Sequence, residues 1–117
     1  MTIQELNKKY YFHDSMITEI HYSQTSQELE IIMDFCNWAQ KSYENSDPEL
    51  LKLKIKFEGV LDYDGITGEI DYFSILIAEV KNDKFHLIIE DDFNQQYYEY
   101  YFSSSNVETE VIGIVED

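Results

Sequence analysis

The sequence contains no arginine and only eight lysines, against twenty-four aspartate and glutamate residues, so its net charge at pH 7 is −16. Residues 58–117 hold fifteen of the carboxylates and two lysines, whereas residues 1–57 hold nine and six. Such an excess of negative charge repels nucleic-acid phosphates and anionic lipid, and it speeds encounter with a basic protein. The composition therefore predicts a basic protein partner, with no nucleic-acid and no membrane partner.

Cysteine, proline and long apolar runs are also scarce. Cys36 is alone and can form no disulfide within the chain, which suits a reducing compartment, so a cytoplasmic location is expected. No apolar run approaches the roughly 20 residues that a membrane-spanning helix needs, and the polar start lacks the apolar segment of a signal peptide. Aromatic residues make up 15% of the chain. Because that content opposes disorder, we expect residues 1–117 to form one folded domain.

Alternation of apolar and polar residues predicts a β-rich fold. Thr2 and Glu5 have the spacing of a capping box, which predicts a short N-terminal helix. Period-two alternation then predicts half-buried strands. These are Met16–Tyr22, Glu28–Phe35, Leu51–Phe57, Phe73–Val80, Phe85–Glu90, Tyr97–Phe102 and Val107–Val115. The expected fold is all-β or β-rich α+β, an antiparallel sandwich or partly open barrel of about seven strands.

Several connections can be interpreted from turn residues. Asn82 and Asp83 tolerate positive φ and predict a two-residue hairpin turn. Gly59 is interpreted as a bulge, with its strand continuing through Leu61. The segment Ile66–Phe73 is compatible with either a helical turn or a bent connection.

The strand Leu51–Phe57 carries an unusual row of cations. Lys52, Lys54 and Lys56 alternate with apolar residues, so all three are expected on the solvent face. They form the one basic stripe that the pattern predicts.

The adjacent residues His13, Asp14 and Ser15 are the three residue types of a hydrolytic triad. Adjacency opposes catalysis, because neighbours on an extended backbone point to opposite faces and triads assemble from distant positions. The preferred interpretation is a turn capped by Asp14 or Ser15, with His13 bonded locally. A functional motif at these positions is the alternative.

The sequence predicts no metal site and no cofactor. His13, His21 and His86 lie far apart, and His21 and His86 fit ordinary surface imidazoles on alternating strands. The Glu90–Asp92 run lacks the spacing of a calcium-binding loop.

A tyrosine cluster near the C-terminus is the most distinctive binding feature. Alternation places Tyr98, Tyr100 and Phe102 on the core side and exposes Tyr97, Glu99 and Tyr101. Exposed tyrosines beside carboxylates are typical of protein-binding surfaces. The alternative is that tyrosine occurs here simply because it favours β-strands. Trp38 is the one large side chain in the longest predicted loop, Asn37–Glu49. The predicted partner-binding residues are Glu90, Asp91, Asp92, Tyr97, Glu99, Tyr101 and Trp38.

The opening Tyr11-Phe12-His13-Asp14-Ser15, followed by Ile17, Ile20 and the run Leu29–Asp34, carries a resemblance. It resembles small uncharacterised bacterial families, some of which are grouped with the immunity proteins of polymorphic toxin systems. The resemblance covers about the first third of the chain. It implies a cytoplasmic protein that binds and blocks a co-produced toxin and has no catalytic residues of its own.

Three functions are therefore compared. The first is a non-catalytic acidic binding protein, such as a toxin-neutralising immunity protein, that covers a basic partner. The second is a small-ligand-binding or enzymatic β-domain that uses His13 and Asp14. The third is a structural homo-oligomer subunit with a solvated acidic surface. The sequence does not specify the oligomeric state.

Overall fold

A computed structural model describes residues 1–115. One helix, α1, covers Ile3–Lys9. The strands are β1 (Met16–Ser23), β2 (Glu28–Cys36), β3 (Leu50–Glu58), β4 (Gly68–Lys81), β5 (Lys84–Asp91), β6 (Gln96–Phe102) and β7 (Asn106–Ile114).

The N-terminal helix begins at the predicted capping box. The Thr2 hydroxyl accepts a hydrogen bond from the Glu5 amide, and the Glu5 carboxylate accepts one from the Thr2 amide. These two bonds satisfy amide groups that have no partner within the helix. Ile3 and Leu6 are the buried residues of this helix. Its sequence thus determines both where it starts and which side faces the core.

All seven strands belong to one antiparallel sheet in the order β6-β5-β4-β1-β2-β3-β7. Within residues 1–115 the end strands β6 and β7 do not pair, so the sheet is not closed. The prediction of a β-rich fold with about seven antiparallel strands and a short N-terminal helix is confirmed. Of the two predicted architectures, the partly open one describes this sheet.

The sheet curls around its own core. Three strands separate β3 from β5 in the sheet, yet the Phe57 ring of β3 lies 5.2 Å from the Phe85 ring of β5. Phe102 of β6 lies 5.0 Å from Phe57. Strand β4 carries register shifts against both of its neighbours, and such irregularities bend a strand. The inner face consequently encloses aromatic and aliphatic side chains from α1 and from all seven strands.

The connection from β3 to β4 covers one end of this core, and it corrects the interpretation of Gly59. Strand β3 ends at Glu58, and Gly59 has φ +68°, so the chain turns there instead of continuing as a bulged strand. Val60 is fully buried beneath the turn, while Leu61 is exposed. The Tyr22 hydroxyl donates to the Val60 carbonyl at 2.7 Å and ties this connection to β1.

Two other predicted connections can be compared with the structure. The ambiguous segment Ile66–Phe73 is largely strand, since β4 already begins at Gly68. Asn82 and Asp83 have φ 53° and 61° and join β4 to β5, so the predicted two-residue turn is confirmed. Within the described chain, none of the helices has the length and apolar character needed to span a bilayer.

Candidate partner-binding surface

The outer side of β4, β5 and β6 brings together most of the predicted binding residues. Strand pairing sets Glu90 opposite Tyr97, and His86 opposite Tyr101. Glu99 lies opposite Ile88, between these two pairs. We call this surface, with the adjoining Asp92 and with Glu79 of β4, the acidic face. The alternation that predicted Tyr97, Glu99 and Tyr101 to point outward is confirmed.

Two tyrosines on the acidic face are open to solvent. Tyr97 is 65% exposed and Tyr101 is 40% exposed. A hydrogen bond to the Glu90 carboxylate, together with its negative charge, raises the pKa of the Tyr97 phenol. A groove of about 430 Å³ is lined by Glu90, Asp92, Gln95 and Tyr97. A tyrosine ring beside a groove, such as Tyr97, can serve as a binding anchor at small entropic cost.

The carboxylates of the acidic face lack nearby lysine partners. Within residues 1–115 no lysine forms an ion pair with Glu90, Asp92 or Glu99. Within the described residues, the charge of these three carboxylates is therefore not neutralised by lysine.

Asp91 does not belong to the accessible surface, which corrects its predicted role. It is buried, and its carboxylate accepts hydrogen bonds from the Phe93 and Asn94 amides at 3.1 and 3.2 Å. The Asn94 side chain donates a third bond at 2.7 Å. Asp91 thus holds the turn between β5 and β6, a common use of aspartate.

Trp38 is exposed but lies elsewhere. It belongs to a short 3-10 turn, Asn37–Ala39, that follows β2, and two strands separate β2 from β5 in the sheet. Its backbone amide donates to the Glu49 carbonyl at 3.2 Å and closes the base of the long loop. The structure therefore does not join Trp38 to the acidic face.

His86 is the residue that the sequence interpretation missed. It points to the outer side as predicted, yet it is only 4% exposed, so the expectation of an ordinary surface imidazole is wrong. Its Nε2 lies 2.7 Å from a Glu99 carboxylate oxygen, and the Tyr101 ring stacks on it at 4.2 Å and 3°. Its Nδ1 lies 3.7 Å from Glu79 and has no hydrogen-bond partner. His21, in contrast, is exposed and lies 3.0 Å from Glu19.

A signal for this cluster was present in the sequence. A two-residue turn at Asn82-Asp83 fixes the register of its hairpin, which sets Glu79 directly opposite His86. The register of β6 could not be obtained in this way, because the turn before it is longer.

The residues His13, Asp14 and Ser15 form a turn and do not converge as a triad. Asp14 has φ +68°, and the Ser15 amide donates to the Phe12 carbonyl. The Ser15 hydroxyl is fully buried and accepts a hydrogen bond from the Cys36 amide at 3.0 Å. His13 Nδ1 lies 2.9 Å from the Leu76 carbonyl, and its Nε2 lies 3.4 Å from the neighbouring Asp14 carboxylate, so His13 has a contact distant in sequence as well as a local one. A groove of about 240 Å³ lies beside His13.

Cys36 is buried where β2 meets this turn. Burial raises the pKa of its thiol, although hydrogen bonds from Ser15 and Trp38 partly oppose the shift. A thiol in such surroundings is less readily ionised and therefore less reactive.

The predicted lysine row exists, but its charge is neutralised. Lys52 Nζ lies 2.7 Å from Asp34 of β2, and Lys54 Nζ lies 3.5 Å from Glu30. Lys56 lies 3.7 Å from Glu108 of β7. We call the outer side of β2, β3 and β7 the lysine face. It is a ladder of paired charges, in contrast to the acidic face.

The structure offers no metal cluster among the residues that it describes: no group of three or more histidine, cysteine or carboxylate side chains could hold an ion. The Glu90–Asp92 run is divided between the acidic face and the β5–β6 turn. Comparison of this chain with family models, with curated proteins and with solved structures finds no match in any of the three.

Proposed function

We propose that this protein is a non-catalytic binding protein that covers a basic protein partner with its acidic face. The observation that supports this most directly is the combination of carboxylates without lysine partners and two exposed tyrosines on one continuous sheet surface. Carboxylates speed the encounter with a basic surface, and tyrosines supply contact area once water is expelled.

The proposed partner is a toxin produced together with this protein in the cytoplasm. The N-terminal motif provides the resemblance to immunity proteins, and a free, buried Cys36 suits a reducing compartment. A toxin that cleaves nucleic acid has a basic substrate site, and the acidic face could occupy it in place of phosphate.

The decisive measurement is the association rate with the polypeptide encoded directly upstream of this gene. Stopped-flow mixing at low and at physiological salt should show the rate falling about tenfold or more as salt rises. The variant Glu90→Gln/Asp92→Asn should slow association by a similar factor at low salt.

A matched control distinguishes the effect of the acidic face from the effect of net charge alone. Glu28→Gln/Glu110→Gln also removes two negative charges, but from β2 and β7 of the lysine face. It should leave the association rate within about twofold of the original. A salt-independent rate, or equal slowing by both variants, would contradict the proposal.

A further inference from the structure

The outer edge of β7 is only partly paired. β7 is an end strand of the sheet, and within residues 1–115 the one strand that pairs with it is β3. The peptide groups of Val107 turn away from β3. The Val107 amide donates to the Met1 carbonyl at 2.7 Å, and the Val107 carbonyl accepts from the Met1 nitrogen at 2.9 Å. Two residues of adjacent antiparallel strands exchange bonds in this way, so the edge has the geometry for strand pairing.

Thr109 and Val111 present their peptide groups on the same edge. The register against β3 is regular from Val107 to Val111, and successive residues of a strand direct their peptide groups to alternate sides. The amides and carbonyls of Thr109 and Val111 therefore point away from β3, as those of Val107 do. None of the backbone hydrogen bonds of the described chain uses them on that side. A groove of about 660 Å³, which Met1, Thr109 and Glu110 help to line, leaves room beside them.

Three aliphatic side chains near this edge are exposed. Val111, Ile112 and Ile114 are 55%, 45% and 60% exposed. A register shift makes Ile112 a bulge residue, which increases the local twist of the strand. After Glu110 the strand has no charged side chain, although charges are what commonly protects an edge from pairing. The edge thus combines unpaired peptide groups with apolar contact area.

We propose that the β7 edge from Thr109 to Ile114 binds an extended segment of the basic partner, which adds to the sheet as a further strand. This inference rests on the proposed function for the charge of the partner. In such complexes the peptide groups supply affinity and alternate side chains supply specificity. Val111 pairs with the buried Leu53, so a residue of the added strand opposite Val111 should be apolar. A residue opposite Glu110 should be basic, because no lysine of the described chain forms an ion pair with Glu110.

A second copy of this chain fits the edge less well. Each copy has a net charge of −16. If Thr109 of one copy paired with Val111 of the other, Glu110 of each copy would lie opposite its counterpart. Like charges directly opposite each other destabilise a sheet, whereas a basic segment would face the same glutamate with the opposite charge. Charge complementarity therefore favours a different protein.

Strand addition and the acidic face act at different stages of binding. The carboxylates of the acidic face attract the partner over a distance and therefore govern its association rate. Glu110 is one charge among many in that field, so its removal changes association little. A strand that docks after the first encounter mainly slows dissociation.

Blocked peptides can test the edge on the unmodified protein. The probe is a hexapeptide of alternating lysine and valine, titrated by nuclear magnetic resonance. It should give saturable shifts centred on Thr109, Val111 and Ile112 and should slow hydrogen exchange of the Thr109 and Val111 amides. Two control peptides have the same side chains and charge but carry N-methyl groups either on every valine or on every lysine.

The two methylated peptides separate strand pairing from charge attraction. Valines opposite Thr109 and Val111 would direct their amides toward β7, whereas the lysine amides would point to the far edge. Methylation of the valines should therefore weaken binding about tenfold or more, since bonds to β7 are lost. Methylation of the lysines should leave the affinity within about threefold of the original.

Variants of Val111 test the same edge in the full complex. Val111→Pro removes an amide that points away from β3, at a position where an edge strand tolerates proline. With the upstream polypeptide it should speed dissociation about tenfold, because a strand bond is lost and the ring obstructs the edge. Val111→Ala retains the amide and should speed dissociation by about threefold or less. If Val111→Pro fails to fold, the methylated peptides still decide the question.

The outcomes separate this inference from the proposed function. Equal binding of the two methylated peptides, shifts confined to the acidic face, or equal effects of the two Val111 variants would overturn the strand addition. A dimer of this chain that Val111→Pro dissociates would overturn it as well, because a second copy would then occupy the edge. If the upstream polypeptide still associates in a salt-dependent manner in these cases, the strand addition alone fails. If that association is also absent, the proposed function fails with it.

Discussion

The two outer faces of the sheet use carboxylates in opposite ways. On the lysine face, Asp34, Glu30 and Glu108 lie within 4.0 Å of a lysine nitrogen. On the acidic face, Glu90 and Asp92 have no lysine within that distance in the described chain. Both faces cover the same core, and in the strands of both faces inward and outward side chains alternate. The difference is that β3, which carries the lysines, lies between β2 and β7, which carry their carboxylate partners.

The charges of the two faces are expected to affect the stability of the fold differently. Removing one partner of a half-buried pair destabilises the fold, because the other partner is left desolvated and unpaired. Unpaired carboxylates on one surface repel each other and slightly oppose folding. This contrast is the basis of the proposal that the acidic face meets a partner.

The largest expected effect is the loss of the best pair on the lysine face. Lys52→Met retains most of the apolar stem but leaves Asp34, which is 8% exposed, without its cation. We expect the free energy of unfolding to fall by about 2 kcal/mol, less than for a fully buried pair. The control Lys54→Met breaks a longer, more exposed pair and should cost below about 1 kcal/mol. Equal losses in urea unfolding would remove the distinction between these pairs.

Two adjacent aspartates test whether position within the acidic run matters. Asp91→Ala removes the acceptor of three hydrogen bonds in the β5–β6 turn and should cost about 1–2 kcal/mol. Asp92→Ala removes an exposed carboxylate and should change stability by less than about 0.5 kcal/mol. Thermal unfolding of the two variants gives the comparison. A larger loss for Asp92 would reverse the assignment of these two residues.

Asp62 lies in the acid-rich half of the chain but is paired with Lys84. Its substitution therefore tests whether a carboxylate stabilises the fold because it is paired, whichever half of the chain it belongs to. Burial raises its pKa, but hydrogen bonds from Lys84 and the Ser103 amide, with the Lys84 charge, outweigh this and leave the pKa below its ordinary value of 3.8. A lowered pKa means that the stabilisation is present above about pH 4 and is lost as the pH falls through the folded-state pKa.

Asp62→Asn should therefore unfold more easily than the original at pH 7, by about 1 kcal/mol after allowance for solvent screening. The difference should shrink as the pH falls through the folded-state pKa, because the aspartate then becomes protonated as well. Urea unfolding across this pH range measures both values. A difference that stays constant down to pH 2 would exclude the charge as its cause.

The smallest expected effect is on the acidic face itself. Glu90→Gln/Asp92→Asn should leave the free energy of unfolding unchanged, or raise it by up to about 0.5 kcal/mol at low salt. The increase should disappear at high salt, since screening removes the repulsion that the variant relieves. Marked destabilisation at any salt concentration would show that these carboxylates support the fold, and would break the contrast between the faces.

Much of the fold could be predicted because alternation and turn chemistry are local properties. The strand containing Lys52, the exposure of Tyr97 and the turn at Asn82-Asp83 all follow from residues within a few positions of each other. The candidate surface was predicted in outline for the same reason. The burial of His86 was not, because it depends on Tyr101, fifteen residues away and on another strand.

The sequence by itself determined the net charge, its concentration after residue 57, the approximate position of most strands and the side chains of β6 that face outward. Only the tertiary structure decided the strand order, the pairing of the lysine row with β2 and β7, and the removal of Asp91 from the surface. The physical reason is that alternation specifies which face a side chain takes, whereas its neighbours on that face come from strands distant in sequence. Whether a carboxylate is neutralised depends on which strand lies beside it. The sheet order places the lysine row beside the carboxylates of β2 and β7 and not beside those of the acidic face.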